Sequence, residues 1–220
     1  FAFLIIFHRF RENKTIPLFI ILIIICTTIL MLIPLWVRNY LVFKKVVLTP
    51  TESGLAFWLG YNVNATGTNK TLSGKFIFNV APEQFRNKIL SLDEFGQKNY
   101  FYKEGLNFIR EHPNQSINLF FKKIKYFWWF TPTQGQEYPK DYFSIYKIYW
   151  VSILLFFTFG LYKKIKFDLF YLNDVHATGL IIIFLITMTL VHASFNLDGR
   201  HRWMVESFIL IFAANGINYF

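Results

Sequence analysis

A short basic segment of this chain has the residue types that bind phosphate. The sequence GRHRW at 199–203 lies between two apolar runs, at 180–191 and 208–214. Arginine carries a permanent charge on a planar guanidinium that suits phosphate, often through two parallel hydrogen bonds. The two runs belong to predicted membrane spans, and a charged segment between two spans would lie at the lipid headgroups. We therefore predict Arg200, His201 and Arg202 as a lipid-phosphate site; the alternative is that the two arginines only anchor a helix end at the interface.

Two nearby side chains extend this candidate site. Glu206 follows Arg202 by four positions, a helical spacing at which a salt bridge would neutralise the carboxylate and fix the arginine. His192 and His201 could approach each other across the segment that joins them, although an interfacial or hydrogen-bonded histidine is the alternative for His192. The five histidines show no metal-ligand spacing, and no nucleophile elbow, phosphate-binding loop or dinucleotide fingerprint is present.

The composition predicts an integral membrane protein. Of 220 residues, 54% are hydrophobic and 21% are aromatic, and several apolar runs are long. The net charge is +10, but no nucleic-acid motif accompanies it, so anionic lipids are the expected partners of the basic residues and nucleic acid is not. The single cysteine, Cys26, excludes a disulfide within the chain.

The apolar runs define the predicted membrane spans. The chain begins inside an apolar run, 1–7, which a basic turn at 8–14 follows. We expect a fragment that begins and ends inside transmembrane helices. Four further helices are predicted to span, since a bilayer core of about 30 Å needs about 20 apolar residues. They are 16–37, 143–162, 178–194 and 204–220.

The residues between the first two spans, 38–142, are predicted to form one loop domain of mixed α/β structure. Short apolar runs separated by turn residues favour extended segments at 41–43, 46–48, 55–59 and 76–78. A capping box at 91–94 predicts a helix that Pro113 ends. Residues 116–130 form an amphipathic pattern with an aromatic face, which favours a helix in the membrane interface. The alternative is that this face packs on the core of the loop domain.

The alternation of the spans predicts the orientation. It places 8–14 and 163–174 on one side of the membrane, and the loop domain with the GRHRW segment on the other. The short connections are rich in Lys and Arg, which favours the cytoplasmic side for them. The loop domain is then extracytoplasmic.

Four stretches resemble the C-terminal half of a superfamily of membrane glycosyltransferases. The superfamily includes the dolichyl-phosphate-mannose protein mannosyltransferases and the bacterial aminoarabinose transferases (glycosyltransferase family 39-like). The stretches are PLWVRNY at 34–40, LGYNVNATG at 59–67, FIREHP at 108–113 and GRHRWMVESF at 199–208. In the last, His201 replaces a tyrosine of the family pattern, and Met204 and Ser207 replace two prolines.

The resemblance implies a GT-C fold in an all-α polytopic membrane protein, in the bacterial inner or plasma membrane. It implies transfer of a sugar from a polyprenyl-phosphate carrier to an extracytoplasmic protein, lipid or glycan, without a nucleotide sugar. No cofactor and no metal site is assigned in this chain, and the need for a metal is left open. Glu206, Asn62 and Asn64 would support the donor site. The acidic catalytic residue is expected upstream of Phe1, so no catalytic residue is assigned in this chain. The alternative function is a polysaccharide or lipid exporter.

Overall fold

The computed structural model describes residues 18–46, 50–131, 140–171 and 175–217. The chain divides into two compact units, Phe1–Thr51 and Glu52–Phe220. The described residues form eight α-helices and no strand. The predicted helix end at 1–7, the basic turn at 8–14 and the centre of the predicted strand at 46–48 lie outside the described residues.

The first unit contains a single described helix, α1 (Leu18–Phe43), which has Pro34 inside it. Its side chains are mostly exposed and apolar, and Ile25–Phe43 is long and apolar enough to cross a membrane. The helix ends where Lys44 adopts a left-handed conformation (φ 51°) while its N–H still donates to the carbonyl of Tyr40. The predicted extended segment at 41–43 is therefore wrong, because these residues continue α1.

The loop region of the second unit is helical as well. It contains α2 (Ser53–Gly60), a 3₁₀ turn (Ile77–Val80), α3 (Glu83–Leu90), α4 (Glu94–Glu111) and α5 (Pro113–Trp128). The prediction of a mixed α/β domain is wrong: 55–59 lies in α2 and 77–78 in the 3₁₀ turn. Two isolated bridges, Thr68 with Leu197 and Lys70 with Phe76, are the pairings of extended backbone in the described residues.

Aromatic packing explains why these apolar runs fold as helices. Trp58 of α2 stacks on Phe85 of α3 at 4.9 Å and meets Phe101 of α4 at 5.5 Å. These rings surround Ile77 and Ile89, which are fully buried. One apolar face of each short helix therefore enters a shared core, which favours a helix over a strand that buries alternate residues.

The boundary between α4 and α5 follows from local chemistry. Asp93 caps α4 by accepting a hydrogen bond from the backbone N–H of Gly96 at 2.9 Å. The predicted helix over these residues is confirmed, with Asp93 rather than Ser91 as the cap. Pro113 ends α4 and is also the first residue of α5, where its missing N–H costs nothing.

Helix α5 has two different faces. Ser116, Leu119, Lys123, Tyr126 and Phe127 are buried at helical spacing, so one face of this helix packs on the core of its own unit. It is not the predicted aromatic face as a whole, because Ile117 and Phe121 of that face are exposed, and a place for them in the membrane interface stays a prediction. A second face stays exposed at every fourth position. It carries Ile117, Phe121, Lys125 and Trp129.

Three long apolar helices complete the second unit: α6 (Lys140–Tyr171), α7 (Val175–Ala193) and α8 (Trp203–Ile217). Of these, α6 contains a stretch long and apolar enough to span a membrane, Asp141–Lys166. The apolar stretches of α7 and α8 are shorter, at Thr178–Ala193 and Trp203–Ile217. Two of the described helices therefore have the length and composition of a span. Their stretches, Ile25–Phe43 and Asp141–Lys166, overlap the predicted spans 16–37 and 143–162.

Helices α6 and α8 pack with their backbones in contact. A Cβ atom on Gly160 would lie 2.7 Å from the backbone nitrogen of Gly216 and even closer to the carbonyl oxygen of Phe212. The side chains on either side of this contact, including Phe157, Ile209 and Phe212, form the main core together with Leu185 of α7 and Phe127 of α5. This packing fixes the start of α8, where the predicted phosphate site lies.

Candidate functional site

Arg202 is held in a box of aromatic rings. It ends the 3₁₀ turn Gly199–Arg202 directly before α8, and only 2% of its surface is exposed. Its guanidinium carbon lies 4.8 Å from the ring of Trp150, 5.8 Å from Phe130 and 6.0 Å from Tyr146. Cation–π attraction to three rings, stronger where water is excluded, holds the charge in place.

Electrostatic effects at Arg202 act in opposite directions. Burial lowers the pKa of Arg202 from its ordinary value, while Tyr146 and Glu206 oppose this shift. Arginine titrates so far above neutrality that the guanidinium stays charged. Glu206 favours the charged form of Arg202, and the predicted salt bridge between the two side chains stays a prediction.

His192 and His201 lie side by side, as their spacing allowed. Their ring centroids are 4.7 Å apart. Nδ1 of His192 lies 2.9 Å from the carbonyl oxygen of Met188, so it must carry a proton and donate. Nδ1 of His201 accepts a hydrogen bond from the backbone N–H of Asp198 at 3.1 Å, so it carries none.

These hydrogen bonds assign opposite tautomers to the neutral pair. Nε2 of His192 presents a lone pair, and Nε2 of His201 carries the proton. A metal bound at Nε2 of His201 would require a proton on Nδ1, which the Asp198 contact forbids. The pair suits a group that both donates and accepts, such as a hydroxyl. No cluster of three His, Cys, Asp or Glu side chains that could hold a metal occurs among the described residues.

The segment that leads into the site is tied to the loop region. The N–H of Asn196 donates to the carbonyl of Ala56 at 3.0 Å, and the N–H of Leu197 donates to that of Gly67 at 3.2 Å. A Cβ atom on Gly60 would lie 2.7 Å from the carbonyl oxygen of Phe195. Gly60 is therefore required for this close approach.

Lys123 is the functional candidate that the sequence did not single out. Its side chain is completely buried on the inner face of α5. The ammonium lies 3.6 Å from the ring centroid of Tyr61 and 3.4 Å from the carbonyl oxygen of Gly60. Burial lowers the pKa of Lys123 to about 7. The spacing of Lys123 from Leu119 and Phe127, four residues on either side, was the available signal.

The other predicted residues have different surroundings. Asn62 is buried, donates to the carbonyls of Trp58 and Leu59, and accepts from the N–H of Asn64, so it closes the end of α2. Asn64 is exposed. The side chain of Arg200 lies outside the described part of the chain.

Two of the four stretches that carry the family resemblance, 59–67 and 108–113, contact each other in the second unit, and the first of them also contacts the residues that lead into the stretch 199–208. Residues 59–67 contact 195–197, and Phe108 packs with Tyr61 and Leu119 in one buried cluster. Comparison with protein families, curated proteins and solved structures gave no match. The stretch at 34–40 belongs to the first unit.

Proposed function

We propose that this protein is an integral membrane glycosyltransferase that uses a polyprenyl-phosphate-linked sugar as donor. The observation that carries the proposal is that the stretch 59–67 contacts both Phe108 of the stretch 108–113 and residues 195–197, which lead into the stretch 199–208. These three stretches are far apart in the sequence and resemble one enzyme family. Two helices of spanning length and composition support its place in a membrane. The loop region and the 199–202 turn would share the extracytoplasmic side.

The chemistry of the site supports a phosphate-bearing donor. Arg202, enclosed by Trp150 and its neighbours, would supply a fixed positive charge at the membrane-facing end of the site. The carrier phosphate is an anion that spreads its charge over several oxygens, and a fixed cation stabilises it without reorganisation. His201 and His192 would hydrogen-bond a hydroxyl of the sugar or the phosphate beside this charge.

The proposal is tested with the labelled donor in membranes that contain the full-length protein, because the acidic catalytic residue is expected upstream of Phe1. We expect transfer from a polyprenyl-phosphate sugar and none from a nucleotide sugar. Arg202→Lys should lower transfer about tenfold or more, because lysine cannot reproduce the planar, aromatic-stacked guanidinium and a charge-assisted contact is worth roughly 1.5–3 kcal/mol. Arg86→Lys, a partly buried arginine on α3 outside the four stretches, is the matched control and should transfer at the wild-type rate.

Two results would contradict the proposal. One is wild-type transfer by Arg202→Lys at a normal protein level. The other is the absence of transfer from every polyprenyl-phosphate donor; movement of an intact lipid-linked glycan across the membrane would then indicate the exporter.

A further inference from the structure

The aromatic box around Arg202 is itself held by a chain of hydrogen bonds. Its nearest ring, Trp150, lies 4.8 Å from the guanidinium carbon and is completely buried. The indole N–H of Trp150 donates to the backbone carbonyl of Trp128 at 3.0 Å. Trp128 is the last residue of α5, and the last carbonyls of a helix have no partner within the helix. This bond therefore satisfies the end of α5 and fixes the ring of Trp150.

Thr189 of α7 holds the side chain of Trp128. The indole N–H of Trp128 donates to the hydroxyl of Thr189 at 3.2 Å, and that hydroxyl donates to the carbonyl of Leu185 at 2.7 Å. The hydroxyl thus donates its proton and accepts with a lone pair at the same time. Thr189 is buried, where a polar group that loses its partner is costly. The three bonds together join α5, α6 and α7 at the ring that contacts Arg202.

The chain can transmit a displacement because Trp128 takes part in it twice. Its carbonyl accepts from Trp150 and its indole donates to Thr189, so a shift of the indole also moves the group that holds Trp150. Without the hydroxyl, the indole N–H loses its acceptor, and turning toward another acceptor relieves the cost of an unpaired polar group. Because Trp128 stacks on Phe157 at 6.2 Å, such a turn also disturbs α6. The ring against Arg202 would then move.

Aromatic rings suit an arginine that has to bind an anion. They attract the guanidinium through their faces and leave its charge in place, whereas a paired carboxylate would compete with a phosphate. We propose that Thr189 is a positioning residue for the donor phosphate. Through Trp128 and Trp150 it holds Arg202 where the carrier phosphate binds. This inference rests on the proposed function, because it takes Arg202 as the phosphate contact.

A first measurement follows Arg202 itself and needs no donor. Phenylglyoxal modifies accessible arginines, and mass spectrometry of the peptides gives the rate at each one. In the full-length protein in detergent, Arg202 should react slowly, since it is 2% exposed, and the exposed Arg110 should react fast. Thr189→Val, which replaces the hydroxyl with a methyl group, should accelerate modification of Arg202 about fivefold, the factor that corresponds to one hydrogen bond of ~1 kcal/mol. The rate at Arg110 should not change.

Transfer by the full-length enzyme gives the second measurement. Thr189→Val should lower kcat/KM for the polyprenyl-phosphate sugar, again about fivefold. Thr189→Ser restores the hydroxyl and should recover both the slow modification of Arg202 and the wild-type kcat/KM. Thr158→Val is the matched control, because the exposed Thr158 of α6 makes the same bond to the carbonyl four residues earlier, at 2.7 Å. It should change neither quantity.

The outcomes separate this inference from the proposed function. Slow modification of Arg202 in Thr189→Val overturns the inference, and so does a wild-type kcat/KM in this variant while Arg202→Lys loses transfer. In both cases the proposed function stands. Failure of Thr189→Ser to recover overturns the inference as well, because the effect would then come from the methyl group and not from the hydroxyl. Absence of transfer by the wild-type enzyme from every polyprenyl-phosphate donor overturns the proposed function, and with it the role of Thr189.

Discussion

Replacing Gly160 with alanine is expected to destabilise the second unit strongly, although alanine is the better helix former. The new Cβ atom would lie 2.7 Å from the backbone nitrogen of Gly216 and closer still to the carbonyl of Phe212. Both obstacles are backbone atoms of α8, so no side chain can rotate away. Overpacking of this kind costs about 1–3 kcal/mol or more, and we expect the upper part of that range. Thermal unfolding in detergent, followed by circular dichroism, measures the loss.

Gly179 offers a matched control within the same unit. It lies in α7, and a Cβ atom added there meets nothing within 4 Å. Gly179→Ala should therefore be neutral or should stabilise the helix by roughly 0.5–1 kcal/mol through a smaller entropy loss. Gly160→Ala should thus lower the free energy of unfolding, whereas Gly179→Ala should leave it unchanged or raise it. The same effect at both positions would show that α6 and α8 do not approach through their backbones.

The contact at Gly160 also bears on the candidate site. Trp150 and Tyr146 of α6 enclose Arg202 at the start of α8, so the distance between the two helices sets the size of the aromatic box. Small residues permit such an approach between apolar helices, where van der Waals contact replaces the hydrophobic effect. A variant that separates the helices should therefore loosen the arginine before it unfolds the unit.

The long apolar helices could be predicted from the sequence because length and composition suffice for them. The first part of the loop region, 41–78, could not, because short runs such as 55–59 fit a strand and a helix equally well. What decides is the packing of Trp58 against Phe85 and Phe101, contacts that are about 30 and 40 residues away along the chain. Local propensity carries no information about them.

In the candidate site, too, some residues could be predicted from the sequence and others could not. Arg202 and His201 could be found because they belong to a motif, and the approach of His192 followed from a short connection. Lys123 was missed, because a lysine is normally a solvated residue on the polar face of a helix, and its spacing from Leu119 and Phe127 was the one sign of burial. Its burial depends on Gly60 and Tyr61, which the sequence places in a separate segment.

Lys123→Met is expected to remove most of the pH dependence of stability near neutrality. Burial lowers the pKa of Lys123 to about 7 in the folded protein, whereas an unfolded lysine titrates near ~10.4. Between these values the unfolded chain binds more protons than the folded chain, so the free energy of unfolding rises with pH. Burying the charged amine therefore lowers the free energy of unfolding by its full amount below the pKa of the folded protein, and by nothing above the pKa of the unfolded chain.

The expected rise is about 2 kcal/mol between pH 7 and pH 9, because each pH unit contributes at most ~1.4 kcal/mol. Burial raises the pKa of Tyr61 and Tyr126, and phenols titrate near pH ~10 or above, so this window avoids them. Denaturant titrations in detergent across the window give the slope. Methionine fills the space of the lysine stem without its charge. The free energy of unfolding of Lys123→Met should therefore change little between pH 7 and pH 9, and the variant should be about 1–2 kcal/mol more stable than the wild type at neutral pH.

Lys103→Met is the appropriate comparison, because water solvates this exposed amine in the folded protein as it does in the unfolded chain. It should keep the wild-type slope. A wild-type slope in Lys123→Met would place the responsible proton elsewhere and would mean that the amine reaches water. If the slope is lost, the protein keeps a costly buried amine beside Gly60 and Tyr61, in a segment that contacts the turn leading to Arg202. A buried lysine kept at such a cost, where a methionine would be more stable, would support a role for Lys123 in the candidate site.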